Sequence, residues 1–299
     1  MNVNDPVLAA PVLPEVLPPR KRRGPVALFI RRYPNIAIGG FLVTIVLGIA
    51  IFAPVLGTVD PTALSPIQRT QPPSANFWFG TDMLGRDVYS RVLYGTRISV
   101  TVGLSVALLA SMIGLAIGLI SGFVRRLDGI VMRIMDGLMS IPPILLAIAL
   151  MALSRGSVQN VVIAITITEI PRVSRLVRGV VLTLRERPYV EAAIASGTRL
   201  HTIVWKHILP NTLPPLMVQV TFICAQAMIT EAALSFIGAG TPPNIPSWGN
   251  IMAEGRALWQ VKPYIVFFPA AFLSATVLAV NLLGDGLRDA LDPRLAKRI

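Results

Sequence analysis

Five stretches of this chain run for seventeen to twenty-five residues without one charged side chain, and no other feature constrains the fold as strongly. They are residues 36–56, 98–122, 137–153, 213–230 and 263–284. At about 1.5 Å of rise per helical residue, roughly twenty residues cross the ~30 Å hydrocarbon core of a bilayer. The apolar residues sit in blocks, with neither the short repeat of an amphipathic helix nor the alternation of a half-buried strand. With 54% hydrophobic and 14% charged residues, the chain lacks the polar surface that a soluble domain needs. A sixth, weaker stretch at 158–177 is interrupted by Glu169, Pro171, Arg172 and Arg175. The reading is an all-α membrane protein of six spans, at 36–56, 98–122, 137–153, 158–177, 213–236 and 263–284, occupying 36–299. A leader of residues 1–35, Pro-rich and then basic at Arg20–Arg23, precedes them. It is expected to be unstructured at first and to end in a short interfacial helix. The first apolar block lies too far along and is too long for a cleavable signal.

The net charge of +12 raises nucleic acid as a partner. Position argues against it, because the basic residues gather on alternate loops. With the N-terminus inside, the inner segments hold twenty Lys and Arg and the outer loops six, with Arg97 at a boundary. That asymmetry places both termini in the cytosol and supports an even number of spans. Cys224 is the one cysteine and lies in an apolar block, where it reads as a small buried hydrophobe.

The longest inner loop, residues 185–211, carries the most information. Pro188 opens a helix through Glu191, Ala192 and Ala193, and Gly197 permits a sharp turn. Thr198 then caps a second short helix that Pro210 stops, with Leu200, Ile203, Val204, His207 and Ile208 on one face. An apolar stripe on so short a helix suits docking into another protein or lying on the membrane surface. Periodicity alone does not separate the two.

Glu191-Ala192-Ala193, Gly197 and Ile208-Leu209-Pro210 resemble, in residues and spacing, the EAA loop of bacterial ABC importer permeases. Three more segments are similar to the dipeptide/oligopeptide/nickel group of that family: Phe79-Gly80-Thr81-Asp82 through Gly85-Arg86-Asp87; Leu234-Ser235-Phe236-Ile237-Gly238 through Pro246-Ser247-Trp248-Gly249; and Gly284-Asp285-Gly286-Leu287-Arg288-Asp289 through Asp292-Pro293. The resemblance runs from about residue 25 to the end. It implies half of a heterodimeric six-helix permease in the bacterial inner membrane, working by alternating access. The implied partners are a second, related permease, two cytosolic ATPase subunits and an extracytoplasmic solute-binding protein. The implied cargo is a di- or oligopeptide, with nickel, glutathione or another small solute as alternatives. In that reading Glu191 anchors the loop, Gly197 gives the turn, and Leu200, Ile203 and Val204 pack in a cleft of the ATPase. A secondary transporter or channel would share the hydropathy without needing this loop.

The chain carries no ATP site of its own. Its lysines are Lys21, Lys206, Lys262 and Lys297, and none follows a glycine as the phosphate-binding loop requires. No catalytic set, cofactor or metal site is expected: His201 and His207 are six apart and face different ways. Acidic residues in spans cost roughly 2.5–3.5 kcal/mol at mid-bilayer and need a reason. Asp136 is expected to pair with Arg133, and Glu169 with Arg172. Glu231 has no basic residue within a turn. It stands as a candidate for the substrate pathway, contacting a peptide's amino group, with packing between spans as the alternative.

Overall fold

A computed structural model describes residues 30–154 and 156–291. Most of the 1–35 leader, Arg155 and the Asp292-Pro293 end of the last motif lie outside the described residues. Among those described, the chain is helical, with one isolated bridge between Thr81 and Asp87 in place of any strand. In chain order the helices are α1 (Pro34–Phe52), α2 (Val88–Phe123), α3 (Arg125–Met139), α4 (Pro143–Ala152), α5 (Val158–Arg185), α6 (Pro188–Ala195), α7 (Leu200–Ile203), α8 (Leu209–Ile237), α9 (Trp248–Gly255) and α10 (Tyr264–Leu291).

Among the described residues, four helices are long and apolar enough to cross a membrane, or five candidate spans if the bent pair α3–α4 is counted as one. Two departures from the sequence reading have clear causes. The third span is not one helix: α3 and α4 meet at an 86° bend. Pro142 and Pro143 lie at the corner, where a proline deprives the helix of a donor and forces the preceding residue out of helical conformation. The ten residues of α4 rise only about 15 Å, half of a hydrocarbon core. The second departure is at α2, which starts at Val88, ten residues ahead of the expected span at 98–122, and runs 36 residues unbroken. Asp87 caps it, accepting from the Ser90 amide at 2.8 Å.

The bundle centres on α2, which packs against α5, α8 and α1, while α10 closes against α1 and α8. Along α2 and α5, Gly114, Gly118 and Gly122 face Val173, Val177 and Val181 in turn. A Cβ on any of these glycines would sit within 2.8 Å of the facing valine. Four-residue spacing on both helices lets the backbones approach closely, which is how helices associate where water provides no drive.

Candidate functional site

Two motif-rich regions lie at the two ends of α8, about 43 Å apart for a 29-residue helix. The first is the loop around α6 and α7. Pro188 occupies the first turn of α6, as expected. The helix ends in a Schellman motif: Thr198 donates its amide to the Ala193 carbonyl and Gly197 donates to Ile194, with Gly197 at φ +71°. A Cβ at Gly197 would meet open space, so backbone conformation and not crowding demands glycine there. Thr198 therefore serves the C-terminus of α6. It does not cap α7, whose N-cap is Arg199, with no side-chain bond.

Pro210 does not stop the second helix. The chain runs from α7 into α8 through a π-helical turn, Val204–Ile208, in which Leu209 donates to Val204. The widened turn sits where the Pro210 ring would meet the carbonyl four residues back. It also changes the helical phase. Residues five apart now share a side, so Ile203 and Ile208 both point inward and are fully buried, while Leu200 and Trp205 both point outward, 62% and 68% exposed. Ile203, expected in an ATPase cleft, is thus held in this chain's own core. Val204 is half-buried, as is Leu209, and Pro210 is exposed. Trp205 escaped the sequence reading because an α-helical repeat sets it off the stripe.

Inside the same loop, Val190 is buried and Ala193 packs against the core, whereas Ala192 is exposed. Tyr189 and Ile194 join Leu200 and Trp205 on the open side, at 44% and 48% exposure. Glu191 is exposed and forms no ion pair or hydrogen bond among the described residues. It faces a pocket of about 390 Å³ that Arg125, Arg185 and Glu186 also line.

The second region, at the α9 end, uses its polar side chains internally. Asp82 Oδ1 accepts from the Leu84 and Arg86 amides at 2.8 and 2.9 Å. Its Oδ2 takes Arg86 Nε at 2.6 Å and Arg91 Nη1 at 2.5 Å. Glu254, on α9, pairs with both arginines from the other side. Arg91 is 1% exposed and Asp82 not at all. The Phe79–Asp87 motif is therefore the strap that ties residues 57–87 to α9. Phe79 stacks on Phe268 at 3.9 Å between ring centroids, and the buried Trp248 donates to the Val92 carbonyl at 3.1 Å.

Glu231 belongs to this end too. It is fully enclosed, accepting from Ser235 Oγ at 2.8 Å, Ser99 Oγ at 3.3 Å and Thr241 Oγ1 at 3.5 Å. Thr241 passes the network on to Ser247 and Asn250. Ser235, Ser247 and Trp248, residues of one quoted motif, thus form a polar brace between α8, α2 and α9. Of the other acidic residues, Glu169 pairs with Arg172 at 3.3 Å, as expected. Asp136 pairs with Arg175 of α5 at 2.6 Å and not with Arg133, because the bend swings α3 so that Asp136 faces α5. Cys224 is buried and free. Among the described residues, no group of three or more His, Cys, Asp or Glu could hold a metal ion.

A strap closed upon itself at one end, and an open apolar face on a loop keyed into the bundle at the other, suit a membrane subunit that receives a partner. The profile of the family described as "binding-protein-dependent transport system inner membrane component" matches residues 110–297, well over half of the chain. The chain belongs to that family. It is 52% identical over 280 residues to a probable peptide ABC transporter permease of Sinorhizobium fredii, covering 94% of this permease and 96% of the relative. It is 42% identical over 269 residues to a glutathione transport system permease of Pectobacterium atrosepticum, covering 89% of each. Among solved structures, the inward-facing MetNI methionine ABC transporter aligns with a TM-score of 0.57 at 21% identity, over 68% of this permease and 96% of that chain. That likeness concerns the fold alone. The permease is thus a multi-pass membrane component of an ABC importer, a transport subunit and not an enzyme, in a system whose ATPase is a separate subunit.

Proposed function

We propose that this permease forms half of a heterodimeric, alternating-access translocation pathway importing di- or oligopeptides, and that two cytosolic ATPase subunits drive it through the α6–α7 loop. One observation carries the coupling role: Leu200 and Trp205 are open while Ile203 and Ile208, on the opposite side of the same turn, are locked into the bundle core. A partner that grips the open pair moves the buried pair, and with it the 29-residue α8. ATP binding by the partner biases a two-state bundle because it favours the arrangement in which the ATPases close. Glu191, Ala192 and Gly197 shape the same face, and Glu191, unpaired here, is available to a basic group on the ATPase. Transport assays on Leu200→Asp and Trp205→Asp test this: uptake is lost while membrane levels hold. Full uptake in both variants defeats it.

For the cargo, the peptide name stands on the relative of higher identity and the glutathione name on one of lower identity. Glutathione is itself a short peptide, so the two readings share a free amine and carboxylate. Competition of labelled dipeptide uptake by unlabelled peptide, glutathione or nickel ranks them. The topology in this reading has six crossings, the third over residues 137–153, which takes in the bend and α4 and leaves Arg125–Asp136 of α3 at the inner surface, with both termini and the α6–α7 loop in the cytosol. A solute-binding protein meets the α9 end. For Glu231, full enclosure and three hydroxyl donors favour the brace over substrate contact.

A further inference from the structure

The geometry points to a binding site on α3 for the phosphate of an anionic phospholipid headgroup. Helix α3 carries two aspartates that are paired and three arginines that are not. Asp128 and Asp136 turn to α5, where Arg178 takes Asp128 through two bonds of 2.5 and 2.6 Å and Arg175 takes Asp136. Arg126 and Arg133 turn away from that side, Arg125 stands at its edge beside Asp128, and all three are exposed with no acidic partner among the described residues. They line a surface groove of about 490 Å³ together with Gly129, Ile130 and Ile134.

Three physical features set this groove apart from a solvated basic face. Arg125 and Arg126 occupy the first turn of α3, the positive end of its dipole, where no side chain caps the turn and the one acidic residue, Asp128, is already taken by Arg178. Cations there are disfavoured, and a bound anion relieves both the dipole and the clustered charge. Next to the arginines lie Ile130 and Ile134, 65% and 58% exposed, with Leu127 at 43%. A ligand offering only a phosphate would leave them in water, whereas a lipid covers them with its acyl chains. Finally, the 86° bend turns α3 across the direction of α4, which packs along the span α5. A helix lying crosswise to the spans, with one arginine face and one isoleucine face, sits at the boundary between headgroups and hydrocarbon. The site is beside the transmission loop: Arg125 also lines the pocket that Glu191 and Ile194 share.

The test uses the assembled importer in nanodiscs of phosphatidylcholine with and without phosphatidylglycerol, with retained lipid counted by native mass spectrometry. Each arginine near a headgroup is worth on the order of fivefold in binding. R125Q/R126Q/R133Q is therefore expected to retain phosphatidylglycerol on the order of a hundredfold less strongly, with phosphatidylcholine retention unchanged. The lysine triple variant is expected to keep most of it, and added inorganic phosphate to leave it in place. Equal phosphatidylglycerol retention by wild type and the glutamine variant overturns the site. So does displacement by inorganic phosphate alone, which makes it a free-anion site. Efficient crosslinking of Gly129→Cys to the second permease overturns it as well, because protein then covers the face. None of these readouts depends on cargo or on ATPase docking, so this site and the transport reading fail separately.

Discussion

At one end of α8, Asp82, Arg86, Arg91 and Glu254 neutralise one another inside the chain, and Glu231 is held by three hydroxyls. At the other end, Glu191 has no partner among the described residues, and Leu200 and Trp205 stand open to whatever approaches. Both regions are dense in motif residues, yet they solve different problems. The α9 end must hold a polar strap together beside a membrane, where an unpaired charge is expensive, so the buried Asp82, Arg86 and Arg91 meet their complements within the fold. The α6–α7 end has one side keyed into the bundle and leaves the other unfinished, which is the form a mechanical joint takes before its driver is attached. A motif residue at the first end is there to be satisfied; at the second it is there to be used.

The comparison breaks most readily at Arg91. Replacing it with leucine strips two buried or half-buried carboxylates of a shared partner, and breaking such a network costs about 3–5 kcal/mol. Size-exclusion profiles and thermal unfolding of the purified permease should show loss of folded protein. Next comes Ile203→Ala, which removes a fully buried side chain from the keyed side of the loop and costs about 2–5 kcal/mol. Here the melting temperature falls together with uptake. Trp205→Ala should separate those two readouts. Removal of an aromatic contact anchor costs about 2 kcal/mol or more in partner binding, so ATPase association weakens while the melting temperature stays put. A Trp205 variant that melts early would put the residue on the structural side of the divide. Gly197→Ala is milder, about 1–2 kcal/mol for a left-handed position with room for the methyl group, and should appear as slower uptake at normal abundance. The smallest effect is expected from Glu231→Gln, which keeps the size and an acceptor for its hydroxyls. The KM for cargo should not move, and a raised KM would return Glu231 to the substrate path.

Much of this was legible in the residues because it depends on local physics. Uncharged runs of membrane length marked the span helices, and Pro188 and Gly197 marked the start and end of α6. What escaped depends on geometry that a regular repeat does not encode. The π turn before Pro210 shifted the phase by one residue, moving Ile203 inward and bringing Trp205 out. The paired prolines at 142 and 143 were visible, but not that they turn the chain by 86° and so give Asp136 a partner on α5 instead of Arg133. The four-residue strap network was hidden because Glu254 lies 163 positions from Arg91. Pairings over such distances leave no trace in a single sequence.

The central claim is that the outward side of α7 and of the π-helical turn after it is where the ATPase takes hold. It is tested most directly by single-cysteine crosslinking in membranes of the assembled importer, with Trp205→Cys set against Ile203→Cys. The account predicts a strong crosslink from position 205 to the ATPase subunit, altered by ATP, and none from position 203. Efficient crosslinking from 203, or none from 205 in an importer that still transports, would contradict it.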